Sequence, residues 1–271
     1  MSAISTIAVS STMPRSLSHT ATIYAKEAKY EFLKLWRLPV YSLSTILFPV
    51  MFYGLFGLAL GPKQHVGPIT LATYLLATYG AFGVMGASLF GFGVGLAVER
   101  GQGWLEVKRA SPMPPLAYFA AKLAMSLLFS LIVVLALLAL GVAFGGVRLG
   151  PLRALELVSI LVAGSIPFCA MGLAIGGFAR PNSAPAVVNL LYLPLSFCSG
   201  LWIPIEALPK FLNRIAPSLP PYHFGQLALS VIGAGRRGSN LIHVEYLVGF
   251  AFVCLGLAWI GFRHGEAKTY G

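Results

Sequence analysis

Apolar positions in this chain run in blocks rather than alternating. Six blocks, at 42–60, 70–98, 116–144, 155–178, 184–203 and 244–262, are long and nearly free of charge. A hydrocarbon layer of about 30 Å takes about 20 helical residues to cross, so each block is long enough to span it. Breakers close several of them: Gly61-Pro62 after the first, Gly145-Gly146 after the third, Arg180-Pro181 after the fourth. Backbone amides in lipid must be satisfied within their own segment, which makes all six blocks α-helices.

The connecting stretches carry patterns of their own. Residues 1–22, rich in Ser and Thr, are expected to form a disordered tail ahead of a single membrane domain at 23–271. Over 24–38, Ala25, Ala28, Phe32, Leu35 and Trp36 recur at helical spacing, while Lys26, Lys34 and Arg37 fall on other faces. That predicts an amphipathic helix lying in a headgroup layer, with Pro39 as the elbow into the first span. After the fifth block, prolines at 204, 209, 217, 220 and 221 break the chain repeatedly. Between them Leu208, Phe211, Leu212 and Ile215 make one apolar face, and Glu206 stands four residues before Lys210, the favourable ion-pair order. The pattern predicts a re-entrant helical hairpin between the fifth and sixth spans, capping a pathway. Small residues at Gly83, Ala87, Gly91 and Gly95 mark a face of the second span for close helix packing, within the chain or between chains.

Composition sharpens this all-α, polytopic picture. The 271 residues are 57% hydrophobic and 10% charged, where a globular domain carries about 25% charged residues. All eight acidic residues are Glu, so aspartate-dependent metal and glycosyl-transfer chemistries are excluded. A net charge of +11 suggests nucleic acid in a soluble protein, but here the basic residues sit at span ends, where they hold lipid headgroups. No nucleic acid is expected as a partner. Cys169, Cys198 and Cys254 each lie inside an apolar run, without metal or disulfide spacing. Lys and Arg are commoner on the side that holds both termini, which places N- and C-termini in the cytoplasm and strip 99–115 on the inner face.

That strip, ERGQGWLEVKRASPMPP, is the most informative stretch. Gly101 and Gly103 permit a sharp departure from the second span. The middle, from Trp104 to Ala110, forms a short charged helix stopped by Ser111-Pro112. A small polar helix pressed against a membrane face suits docking by a soluble partner.

The run E-R-G-x-G-x-L-E followed by S-P, with Tyr118 and Lys122 opening the next span, resembles the signature of the type-2 permeases of ATP-binding-cassette exporters. This chain has Trp104 where Thr is usual and lacks one acidic residue of the family's run. A second match, S-G-L-W-I-P-I-E-A-L-P at 199–209 with P-P-Y-H at 220–223, is similar to the family's outer hairpin. The resemblance implies a bacterial inner-membrane permease subunit, not itself an enzyme. Its strip would be received by a cytoplasmic ATPase subunit, present in two copies, through Glu99, Arg100, Gly101, Gly103, Leu105, Glu106, Arg109 and Pro112. A second permease copy, in a homodimer, would complete the pathway. ATP and Mg belong to the partner: no G-x-x-x-x-G-K-[ST] loop is present here, and no Asp to serve as a Walker B carboxylate. The pathway is expected to be lined by Ser88, Asn189, Tyr192 and Ser196, and the outer gate to be formed by Pro204, Glu206, Pro209, Phe211 and Tyr222. The cargo would be a hydrophobic drug-like molecule, a lipid or a lipid-linked glycan. An ion-coupled secondary transporter is the rival reading; it calls for ionisable groups at mid-bilayer, whereas the glutamates here sit at span ends or in loops.

Overall fold

The computed structural model describes residues 17–111, 113–236 and 239–269. Pro112 and the expected tail before Leu17 lie outside the described residues, as does the side chain of Arg109. Helix α1 (Leu17–Trp36) starts earlier than the 24–38 expected, and Leu38 breaks it from α2 (Pro39–Phe52), whose first residue is the elbow proline. A π-helical turn, Tyr53–Leu58, prolongs α2, and a two-stranded hairpin (His65–Val66 with Ile69–Thr70) leads into α3 (Leu71–Ser88). A second π-helical segment, Leu89–Val94, joins α3 to α4 (Gly95–Gly101). Then follow α5 (Trp104–Ala110), α6 (Pro115–Ala143), α7 (Pro151–Ala163), α8 (Ser165–Phe178), α9 (Ala184–Cys198), α10 (Lys210–Ile215), α11 (Pro220–Val231) and α12 (Asn240–Thr269).

Among the described residues five helical runs are long and apolar enough to cross a membrane: Pro39–Leu58, Leu71–Gly101, Leu116–Ala143, Pro151–Phe178 and Asn240–Arg263. The helix formed by the fifth expected span, 184–203, is shorter than its apolar run. Helix α9 stops at Cys198 because Gly200 takes a left-handed turn (φ 76°) and the chain folds back into the hairpin. Its 15 residues rise only about 22 Å. Helix α11 was not foreseen as an element. It starts with prolines in its first turn, where a missing N–H costs nothing, and almost all of it is buried.

The run α3–α4 is the central post, with α2, α6, α8 and α11 packed around it. Almost every residue of α3 is buried. The small-residue ridge packs inside the chain: at Gly83 an added Cβ would meet Val133 and Pro49, and at Gly91 Tyr41 and Met125. The tightest helix crossing lies on the other side of the post. A Cβ on Gly93 would come 3.0 Å from the Gly172 carbonyl, and one on Gly176 2.9 Å from the Gly93 carbonyl, so glycine alone permits backbone contact between the second π segment and α8. Helices α2 and α12 turn Leu43, Leu47, Met51, Phe252, Val253 and Trp259 outward, as surfaces do whose solvent is acyl chain.

A buried ion cluster behind the strip helix

Three helices, α1, α4 and α6, bring their charges together at the end of the α3–α4 run. Glu99, one turn before that run ends, is the hub. Its Oε1 accepts from Lys34 Nζ of α1, and its Oε2 accepts from the Tyr118 hydroxyl and, at 3.1 Å, from Lys122 Nζ of α6. Lys122 also donates to Glu31 Oε1 at 2.7 Å, and Lys34 to Glu31 Oε2 at 2.9 Å. Every carboxylate oxygen of the two glutamates is thus paired with a cation. The Lys122 side chain is 0% exposed and Glu31 only 5%. Burying such ions singly costs several kcal/mol each, and only this complete reciprocal pairing makes the arrangement tenable.

Lys34 sits at the rim. Burial pushes its pKa down, but the Glu31 and Glu99 carboxylates outweigh that and hold it above the usual 10.5. A raised lysine pKa contributes stability that is complete below the unfolded value and lost only as pH rises through the folded one. Lys34 therefore stays charged throughout the neutral range.

The strip helix hangs from this cluster. Arg100 turns the other way and donates to the carbonyls of Gly177 and, at 2.8 Å, Ala179, fastening α4 to the end of α8. Gly101 lies against Pro181, so close that a Cβ there would sit 2.0 Å from the proline ring. Its role is this contact; the sharp bend is made by Gly103 alone, in the left-handed region (φ 76°), as N-cap of α5. Lys108 pairs with Glu27 of α1 and lies 4.7 Å over the Tyr118 ring, a cation–π contact. Ser111 closes α5, its hydroxyl donating to the Lys108 carbonyl at 2.7 Å. Leu105 is half-buried, whereas Glu106, Trp104 (54% exposed) and Val107 (60%) project outward. Beside the strip a cleft of about 660 Å³ opens between Val98, Gly101 and Gln102 and the α8–α9 turn, Arg180 to Ser183.

The residues expected along a pathway are not gathered. Ser88, Tyr192 and Ser196 are buried and locally bonded: Ser88 donates to the Val84 carbonyl, Tyr192 to the Phe82 carbonyl at 3.0 Å, and Ser196 accepts from the Trp202 indole at 3.2 Å. Asn189 stands apart from them on the exposed face of α9. At the other end of the post, the hairpin residues do come together. Tyr222 packs with Ile205, Leu208 and Ala216, while Phe211 stays 62% exposed. Pro204 and Pro209 cap the 3-10 turn Ile205–Ala207 and α10. Glu206 pairs with Arg236 at 3.4 Å and not with Lys210, because Leu208-Pro209 breaks the helix that would have aligned them.

Sequence reasoning named Glu99 but passed over Glu31, Lys34 and Glu27. The available signal was Lys122, a cation inside an apolar helix, which demands a counter-ion from a neighbouring segment.

The profile of the ABC-2 type transporter family matches residues 27–232, which takes in the second half of α1, the strip and the hairpin. A curated relative from Bacillus subtilis (strain 168), named "Putative transport permease YvfS", is 26% identical over 230 residues, covering 84% of this chain and 94% of its own. The chain is a multi-pass helical membrane protein, and it belongs to the ABC-2 type transporter family.

Proposed function

We propose that the protein is the permease subunit of an ATP-binding-cassette exporter, driven by a separate ATPase that receives the strip helix α5. The observation that carries this is how α5 is held. Its inward side is tied through Lys108 to Glu27 and Tyr118, while Trp104, Val107 and Glu106 point away, and no other described residue covers them. An exposed tryptophan beside a fixed acidic residue is the kind of anchor a protein interface uses. Force applied there reaches α1 through Glu27, α6 through Tyr118 and Lys122, and α8 through Arg100. Helices joined by such contacts shift as rigid bodies.

In this reading both termini and the strip face the cytoplasm of a bacterial inner membrane. Helix α9 forms the fifth crossing and α12 the sixth, and the 3-10 turn, α10 and α11 between them form the outer re-entrant hairpin. Two permease copies and two ATPase subunits make the working unit, with ATP and Mg on the ATPase. Asn189, on the uncovered face of α9, looks toward the second copy or the cargo, which is a hydrophobic drug-like molecule, a lipid or a lipid-linked glycan. The test is co-purification with a candidate ABC ATPase from the same cell, followed by ATP hydrolysis in reconstituted membranes. Glu106→Lys should abolish cargo-stimulated hydrolysis while leaving membrane insertion intact. Coupling that survives this change, or that needs no ATPase, overturns the proposal.

A further inference from the structure

Two histidines meet at the membrane face opposite the Glu99 cluster. His223 of α11 and His243 of α12 place their Nδ1 atoms 2.7 Å apart, and His223 Nε2 lies 2.8 Å from the Pro217 carbonyl oxygen. That oxygen can only accept, so His223 carries its proton on Nε2. A neutral His223 then offers a bare Nδ1, and His243 must donate from its own Nδ1. One further proton is tolerated. It goes to Nδ1 of His223, and His243 switches to its other tautomer and accepts. A second proton leaves two N–H groups and two positive charges face to face, and the contact cannot persist.

The surroundings offer no counter-charge. His223 stacks on Tyr246 of α12 at 3.9 Å, and Tyr222 stands edge-on to both imidazoles. The 3-10 turn Ala216–Ser218 contributes carbonyls only: Tyr246 donates to the Ser218 oxygen at 2.6 Å. Helix α3 brings Tyr74 toward Tyr222, and α7 carries Arg153 and Glu156. Glu245 of α12 is exposed. Among the described residues no carboxylate lies within ion-pair distance of either histidine.

We infer that His223 and His243 form a proton-operated clasp between the hairpin and the last membrane helix, shut when the pair holds at most one extra proton and released by the second. Burial already lowers the pKa of His223 below its usual 6.5, a shift only partly offset by the Pro217 carbonyl. A base whose proton affinity is reduced in the closed state favours closure fully above about 6.5 and less as pH falls below it. Opening takes up one proton, so its equilibrium constant should rise about tenfold per pH unit in that range.

The clasp goes beyond the permease reading and does not depend on it, since neither an ATPase nor a cargo enters the test. The full chain in lipid nanodiscs is labelled by hydrogen exchange between pH 8 and pH 5, with labelling times scaled for the intrinsic pH dependence of exchange. Exchange in α11 and in the first turns of α12 should hold steady down to about 6.5 and then climb about tenfold per unit. His243→Gln should lose that climb. Tyr246→Phe, which removes the Ser218 bond but no titrating group in this range, should raise exchange at every pH and keep the climb. A flat wild-type profile, an unchanged slope in His243→Gln, or loss of the slope in Tyr246→Phe overturns the clasp. If His243→Gln fails to insert, the wild type and Tyr246→Phe decide alone.

Discussion

Of the two cations that bridge Glu31 and Glu99, Lys122 is the fully buried one, and replacing it by Met leaves an apolar side chain of similar length. Glu99 then keeps Lys34 and the Tyr118 hydroxyl, and Glu31 keeps Lys34 alone. Breaking a buried pair by deleting one partner costs about 3–5 kcal/mol, because the surviving charge is left uncompensated. Lys34→Met probes the same two carboxylates from the rim. Its side chain is 43% exposed, so solvent screens what is lost and the cost should be about 1 kcal/mol or less. Both variants are to be compared by equilibrium unfolding in mixed detergent–SDS micelles, followed by circular dichroism. Adding Glu99→Gln to Lys122→Met should recover part of the loss, since it removes a charge that no longer has its partner. Equal, small losses for Lys122→Met and Lys34→Met would refute the idea that burial sets the energetics of this cluster.

Other outcomes follow from the same contacts. Gly172→Leu forces apart the backbones of the second π segment and α8 and should cost at least about 1–3 kcal/mol in the same unfolding assay. Gly103→Ala meets the left-handed turn before α5 and should cost about 1 kcal/mol or more, with local exchange rising in α5 while the membrane helices stay protected. The Lys34→Met penalty should be the same at pH 6 and pH 9 and shrink only above the ordinary lysine value of 10.5, since the native pKa is raised. Trp104→Ala should leave unfolding unchanged, because the ring is exposed, and weaken capture of the ATPase on an affinity resin.

The helical blocks were legible because lipid imposes length and composition on each crossing directly. Their ends were less so. The fifth block ran past Cys198 on residues 199–203, which the structure spends on a turn into the hairpin, and hydropathy does not separate a span from a buried hairpin. Helix α11 was missed for the same reason: Gln226 and His223 dilute its apolar signal, yet both are buried by neighbours distant in sequence. The strip helix was readable because Gly103 and Ser111-Pro112 punctuate it locally. The cluster behind it was not, since Glu31, Glu99 and Lys122 come from three segments and nothing in their spacing pairs them. The polar residues of α9 show how tertiary contacts use groups that the sequence leaves unassigned. Tyr192 and Ser196 look suited to a wet pathway in sequence, but their hydroxyls are used to bond helix α3 and Trp202.

The buried ions also decide how the protein responds to an electric field. Lys34 and Lys122 balance Glu31 and Glu99, and Lys108 balances Glu27. A single charge carried across 100 mV exchanges about 2.3 kcal/mol with the membrane potential, but a neutral quartet moved as one body exchanges none. Moving this quartet as one body therefore adds no voltage dependence of its own, and charges outside it, such as Arg100, carry whatever response to the field there is.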